Sequence, residues 1–98
     1  MAVSAVLAVG DETGDRFVEA LAPKVRALKI GQYEEPGVEM GPVITAQSKD
    51  RILSYIDQGE ADGASVVVYG RGLSLQGYEN GFFVGGTLLD HVTPDMSV

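Results

Sequence analysis

Short apolar runs separated by amphipathic stretches set the pattern of this chain. Residues 5–9 are apolar, partly β-branched and followed by Gly10, which predicts a buried strand that ends at a turn. Residues 65–69 form an almost unbroken β-branched run, typical of a strand covered on both faces in a parallel sheet. A third extended segment is predicted over residues 82–89. It is interrupted by two glycines and ends at Asp90 and His91.

A first helix is predicted after the first strand. Its apolar stripe at helical spacing consists of Phe17, Val18, Leu21, Val25 and Leu28. Asp11 is expected to cap this helix, because its carboxylate can accept from free N–H groups of a first turn that also holds Glu12 and Asp15. Gly31 is expected to provide the left-handed residue at the end. Pro23 removes one backbone hydrogen bond inside the stripe, which predicts a kink or a break.

A second helix is predicted in the middle of the chain. Thr45 can cap it and Gly63 can end it. The expected inward face consists of Ile52, Tyr55 and Ile56, with Leu53 beside them.

Two loops complete the pattern. Residues 32–42 have no period and carry three glutamates, two prolines and two glycines, so an exposed loop is expected. Residues 70–81 contain four glycines and should cross the surface, and a tight turn is predicted at Asn80 and Gly81. The order strand, helix, helix, strand, strand predicts an α/β layer with mostly parallel strands.

Composition and charge narrow the functional classes. The 98 residues, 45% of them apolar, predict one small domain or a piece of a larger one, without repeats or linkers. A net charge of −7 argues against a nucleic acid partner, because acidic chains repel phosphate backbones. No apolar run approaches the roughly 20 residues that cross a membrane. The absence of Cys and of a basic start argues against a disulfide-bonded secreted protein, and a cytoplasmic location is expected.

Three short motifs resemble ligand sites but fail on spacing. Gly70 and Gly72 begin a dinucleotide fingerprint, yet Leu75 occupies the third glycine position and no helix is predicted to follow. Residues 10–14 lack the lysine and the glycine spacing of a phosphate loop. A calcium loop over positions 11, 13 and 15 fails because Arg16 stands where the turn glycine belongs.

The remaining chemical groups favour structural roles. His91 is the only histidine, and with Asp90 and Asp95 beside it a solvated turn is expected rather than a metal site. Acid–base pairing is not expected of the loop acids Glu34, Glu35 and Glu39, because a flexible loop cannot hold two pKa values apart. The aromatic residues expected in the core are Tyr78, Phe82 and Phe83. No serine lies in a nucleophile motif. We therefore predict no catalytic, cofactor-binding or metal-binding residue in this chain.

Three stretches nevertheless resemble a known family. They are residues 41–48 (GPVITAQS), 59–64 (GEADGA) and 77–96 (GYENGFFVGGTLLDHVTPDM). Together they resemble the aldehyde dehydrogenase superfamily and, more narrowly, its coenzyme-A-acylating branch, the methylmalonate-semialdehyde dehydrogenases. The resemblance covers essentially all 98 residues. Tyr69 and Leu89 depart from the branch, which more often has an acidic residue and Phe at these positions.

The resemblance implies a fragment. In this family the nucleophilic Cys directly precedes a Met-Ala pair like Met1 and Ala2, and the glutamate that contacts the nicotinamide ribose would follow Val98. Residues 1–98 are therefore expected to be part of a catalytic domain that is inactive alone. In the intact enzyme the resemblance implies thiolate attack on a semialdehyde, hydride transfer to NAD, loss of carbon dioxide and acyl transfer to CoA, within valine catabolism.

The resemblance also implies partners. We expect the remainder of the dehydrogenase subunit and a homo-oligomer, a tetramer, in the intact enzyme, with no nucleic acid or membrane. Neither NAD nor CoA is expected to bind this chain. Ser48 and Arg51 align with positions whose side chains touch the cofactor ribose in other superfamily members, but they differ from the usual Gln and Lys, so no cofactor contact is assigned to them. The alternative is an independently folded, acidic, non-enzymatic module for interaction or self-association. That module predicts a cooperative melt, whereas a fragment predicts exposed apolar faces.

Overall fold

The computed structural model describes residues 3–98. These residues form two helices followed by two short strands: α1 (Asp11–Arg26), α2 (Ala46–Ala61), β1 (Ser65–Val68) and β2 (Leu88–Asp90). The predicted α/β class with two helices is confirmed. Within the described range neither helix is long and apolar enough to cross a membrane.

The predicted first strand is wrong. Residues 3–9 belong to no helix or strand and are exposed, with a relative exposure of 92% for Leu7 and 89% for Val9. The apolar pattern signals a segment that would be buried, but a strand also needs a hydrogen-bonding neighbour. The described part of the chain places no strand beside it.

The two strands pair antiparallel, which contradicts the predicted parallel arrangement. Ser65 lies opposite Asp90 and Val66 opposite Leu89, and a bulge precedes the pairing of Val68 with Leu88. A β-branched run reports burial and not the direction of its neighbour. The chain between the two strands is a loop, and β2 runs back along β1. The only parallel pairing in residues 3–98 is an isolated bridge between Ile30 and Met40.

Helix α1 has the predicted position but different ends. Its N-cap is Gly10, at φ 93°, and no side chain caps the helix. Asp11 therefore lies in the first turn with Glu12, where both carboxylates face the positive end of the dipole, and its predicted cap role is wrong. The cap shifts by one residue because glycine enters the left-handed region without steric cost.

The far end of α1 also differs from the prediction. The helix continues through Pro23 without a break, and the Ala27 N–H bonds to the Pro23 carbonyl at 3.0 Å. Pro23 lies in the last turn, so few helical hydrogen bonds follow it. Of the expected kink or break, the break is wrong and the kink stays a prediction. Gly31 does not end the helix: it is buried and donates its N–H to the Met40 carbonyl at 3.1 Å.

Helix α2 confirms its predicted ends. The Thr45 Oγ1 accepts a hydrogen bond from the Ser48 N–H at 3.1 Å, and Gly63 follows the helix at φ 109°. Ile56 is buried, as predicted for the inward face, with Ile52 and Leu53 half-buried beside it. Tyr55, the other predicted member, is 47% exposed.

The core is small, as expected of a short chain. Its buried apolar residues are Ala22, Ile56, Ala64, Val68, Phe83 and Val84. The predicted loops at residues 32–42 and 70–81 are confirmed, and so is the turn at Asn80 and Gly81: the Gly81 N–H donates to the Tyr78 carbonyl at 2.9 Å. Tyr78 and Phe83 pack edge to face, 6.1 Å apart. Of the predicted core aromatics, Phe83 is buried while Tyr78 and Phe82 are partly exposed.

Candidate functional site

Two backbone segments cross in close contact just after β1. Gly85 donates its N–H to the Gly70 carbonyl at 2.9 Å, and Gly70 donates its N–H to Thr87 Oγ1 at 3.0 Å. A Cβ at Gly70 would lie 2.5 Å from the Gly85 carbonyl carbon. The two segments can meet this closely only because both residues lack a side chain. We call the contact of Gly70 with Gly85 the glycine crossing.

An open cleft of about 380 Å³ lies beside the glycine crossing. Its lining residues come from the end of α1, the end of β1 and the two glycine segments: Val25, Arg26, Leu28, Ile30, Val68, Tyr69, Gly70, Gly72, Leu73, Gly85 and Gly86. Arg26 bridges the walls by donating from its guanidinium to the Val67 carbonyl at 3.0 Å. The lining holds no carboxylate, histidine or thiol, so it offers no group for proton transfer or nucleophilic attack near neutral pH.

Arg71 forms the strongest electrostatic cluster among the described residues. Its guanidinium pairs with Asp57 and with Glu60, the latter at 2.7 Å, and lies 3.7 Å above the Tyr69 ring. The Arg71 side chain is only 15% exposed. The cluster therefore ties the loop after β1 to α2. Sequence reasoning missed it, although acids three residues apart on one helix face are a signal for a shared cation.

Ser65, His91 and Asp90 come together but do not form a catalytic triad. The Ser65 Oγ lies 3.2 Å from His91 Nδ1, and the nearer Asp90 carboxylate oxygen lies 3.5 Å from the same nitrogen. A triad needs the serine and the acid on opposite ring nitrogens. His91 is also exposed, in a left-handed conformation at φ 55°. Asp95 is turned elsewhere, accepting from the Thr93 hydroxyl.

The two positions aligned with cofactor contacts have local roles. The Ser48 N–H and hydroxyl both bond to Thr45 at the start of α2. Arg51 is exposed, and its carbonyl accepts from the Ser54 hydroxyl at 2.7 Å. These contacts lie within the start and middle of α2. They do not test whether either residue binds a cofactor, so the expected absence of binding stays a prediction.

The loop acids are dispersed. Glu34 accepts from the Tyr33 hydroxyl, and Glu39 accepts from the Lys29 N–H at 3.0 Å. Glu35 is exposed in the same loop. Across residues 3–98 no group of three His, Asp or Glu side chains could hold a metal ion. The prediction that the chain contains no catalytic, cofactor or metal site stays a prediction.

Two exposed carboxyls have perturbed acidities. Hydrogen bonds from its own N–H and from the Gly77 N–H hold the pKa of Glu79 below its ordinary value. The Thr93 hydroxyl, and secondly the backbone of Asp95, lower the pKa of Asp95. In both cases the hydrogen-bond donors favour the charged carboxylate. Glu79 and Asp95 lie in surface turns and do not line the cleft.

Comparison with known proteins identifies the class. The profile of the aldehyde dehydrogenase family matches residues 1–98, the full chain. The chain belongs to the aldehyde dehydrogenase family, as its resemblance implied.

Individual relatives narrow the comparison. Malonate-semialdehyde dehydrogenase of Pseudomonas aeruginosa is 47% identical over 98 residues, which are all of this chain and 20% of that protein. An acylating mitochondrial methylmalonate-semialdehyde dehydrogenase of Arabidopsis thaliana is 43% identical, over 98% of this chain and 16% of its own length. A putative methylmalonate-semialdehyde dehydrogenase from Sinorhizobium meliloti, solved with NAD, superposes with a TM-score of 0.88 at 52% identity, over 90% of this chain and 18% of that one. The chain thus spans about a fifth of the length of the relatives it matches.

Proposed function

We propose that this chain forms part of the catalytic domain of an NAD-dependent, CoA-acylating malonate- or methylmalonate-semialdehyde dehydrogenase. The intact enzyme would convert semialdehyde, CoA and NAD to acetyl-CoA or propionyl-CoA, carbon dioxide and NADH. The match of the whole chain to relatives named for these semialdehydes supports the proposal. A role in valine catabolism and a homotetramer follow from the same assignment, and a cytoplasmic location stays a prediction.

The observation that carries the proposal for the isolated chain is its lack of cysteine. Family chemistry needs a thiolate to attack the aldehyde, and the only histidine is an exposed turn residue. We therefore assign this chain a structural role. The glycine crossing and the Arg71 cluster would hold β1, α2 and the loop between β1 and β2 in fixed relation, as backing for reactive groups carried by the remainder of the subunit.

The described residues do not fit the pyrophosphate of NAD. The first turn of α1 presents Asp11 and Glu12, which repel phosphate, and the first turn of α2 already gives its Ser48 N–H to Thr45. Gly72 is followed by loop rather than by a helix N-terminus.

Exposed apolar residues favour a fragment over an independent module. Leu7 and Val9 are almost fully exposed in the extended segment of residues 3–9, and Ile44 is 90% exposed before α2. Clusters of exposed apolar residues mark surfaces that another protein segment normally covers. In the proposed enzyme that cover is the rest of the subunit.

A pair of absorbance assays for NADH tests the proposal. The purified chain, mixed with malonate or methylmalonate semialdehyde, NAD and CoA, should give no turnover. A chimera in which this chain replaces the matching segment of the Sinorhizobium enzyme should form both NADH and an acyl-CoA. The same chimera with Gly72→Ala should retain activity, because a Cβ at this position meets nothing within 4 Å; it controls for substitution in the segment as such.

Three results would count against the proposal. Turnover by the isolated chain would show that it needs no external thiol. A folded chimera that makes NADH but releases a free acid would contradict the acylating assignment. A narrow size distribution and no binding of an apolar dye by the isolated chain would favour the interaction module instead.

A further inference from the structure

Asn80 combines a reactive sequence with an accessible position. It is the only asparagine in the chain and it precedes a glycine, so no side chain on the next residue hinders attack on its amide. Asn80 is exposed, and within residues 3–98 no hydrogen bond holds its side-chain amide. Asparagine is among the thermally labile residues of proteins. The side chain is therefore free to react with the backbone nitrogen of Gly81.

The attacking atom is held by the fold. The Gly81 N–H donates to the Tyr78 carbonyl at 2.9 Å, which closes the turn. The Phe83 ring lies against Gly81: a Cβ at Gly81 would be 2.6 Å from Phe83 Cε2. Phe83 is only 5% exposed and packs edge to face with Tyr78. The nitrogen that must attack Asn80 is thus engaged whenever the turn is closed.

We propose that Asn80 is a site of spontaneous deamidation whose rate is controlled by opening of the Tyr78 to Gly81 turn. In the open turn, hydroxide removes the Gly81 N–H proton. The nitrogen then bonds to the Asn80 Cγ, the Cγ–Nδ2 bond breaks and ammonia leaves. Water opens the resulting cyclic imide at either carbonyl, which leaves aspartate or isoaspartate at position 80. The only co-reactants are hydroxide and water.

The products would prevent the turn from closing normally. Aspartate and isoaspartate each add a negative charge, and isoaspartate also adds a methylene to the main chain just before Gly81, one residue ahead of Phe82. The Phe82 carbonyl accepts from the Val43 N–H at 2.8 Å, and Phe83 is a core residue. A lengthened backbone at this point would displace both the Phe82 carbonyl and the Phe83 ring. Deamidation would therefore weaken the packing of the core.

Gln76 provides an internal control in the same loop. It is exposed and also precedes a glycine, but its side chain is one methylene longer, so ring closure is slower. Conversion is therefore expected at position 80 and not at position 76 over the same incubation.

The test compares deamidation with hydrogen exchange on the intact 98-residue chain. The chain is incubated at mildly alkaline pH, with and without guanidinium chloride, and position 80 is followed by peptide mass spectrometry and isoaspartyl methyltransferase labelling. Both reactions require base to reach the same Gly81 nitrogen. Folding should therefore slow deamidation by the same factor by which it slows exchange of the Gly81 N–H.

Each result decides one part of the proposal. No conversion at position 80 in denaturant overturns the site. Equal deamidation rates in the folded and unfolded chain would overturn the claim that opening of the turn controls the rate. The same holds if folding slows deamidation by a factor unrelated to the slowing of Gly81 N–H exchange. Phe83→Leu should speed deamidation of the folded chain towards the denatured rate, whereas Phe82→Leu, at a position that is 37% exposed, should leave it nearly unchanged. Equal effects of the two variants would contradict the role of the Phe83 ring.

Discussion

The glycine crossing offers the sharpest test of the structure. Gly70→Ala adds a Cβ that would lie 2.5 Å from both the Gly85 carbonyl carbon and Thr87 Oγ1. The first neighbour is backbone and cannot rotate away, so the two segments must separate. Overpacking of this kind costs about 1–3 kcal/mol, and weakening the 2.9 Å and 3.0 Å hydrogen bonds at the crossing costs about 1 kcal/mol more. We expect a loss of about 3 kcal/mol.

Gly72→Ala is the matched control. A Cβ at Gly72 meets nothing within 4 Å, and this residue is not at positive φ. The substitution should change stability little, or raise it by about 0.4–1 kcal/mol by restricting the unfolded chain. With a urea m-value of about 1.5 kcal/mol/M, Gly70→Ala should lower the unfolding midpoint by about 2 M in circular dichroism. Coincident midpoints for the two variants would refute the close contact.

Four further predictions concern single side chains. Thr45→Ala should cost about 1 kcal/mol by removing the α2 cap, while Thr45→Ser should restore the urea midpoint. Arg71→Lys should cost about 1 kcal/mol because lysine lacks the planar fork that joins two carboxylates, and an unchanged midpoint would contradict the cluster. Thr93→Val should raise the pKa of Asp95 towards its ordinary value of about 4, seen by NMR titration. The lowered Asp95 pKa stabilises the fold at pH values above the ordinary pKa, and this stabilisation is lost as the pH falls through the folded pKa. The stability of the variant should therefore fall below that of the parent above this acid range, and the two stabilities should converge below it. Leu7→Lys should leave stability within about 0.5 kcal/mol and reduce self-association in sedimentation, because the side chain is 92% exposed.

Sequence signals predicted the structure correctly where the interacting atoms lie within one element. Helix α2 begins at the predicted Thr45 cap and is followed by Gly63, because both signals act on atoms a few residues away. The Asn80 turn is a further case, since its hydrogen bond spans four residues. The start of α1 differed by one residue, because Gly10 and Asp11 are both acceptable at a cap and the pattern does not choose between them.

Predictions failed where the answer depends on a distant segment. Residues 5–9 have the composition of a buried strand, yet no neighbouring strand is present among the described residues. The direction of β2 against β1 depends on the path of the chain between them and not on the composition of either strand. The Arg71 cluster and the glycine crossing join positions more than ten residues apart, and composition carries no information on which of several acids or glycines will meet.

The amino-acid pattern was sufficient for the α/β class, both helices, β1, the glycine-rich loops and the family, since these depend on local geometry and on long matching stretches. The antiparallel pairing, the exposed apolar segment, the contact of Gly70 with Gly85 and the Arg71 cluster became apparent only in three dimensions. The physical reason is that each of them is a contact between segments, and its free energy depends on which atoms face one another rather than on which residues adjoin in the chain.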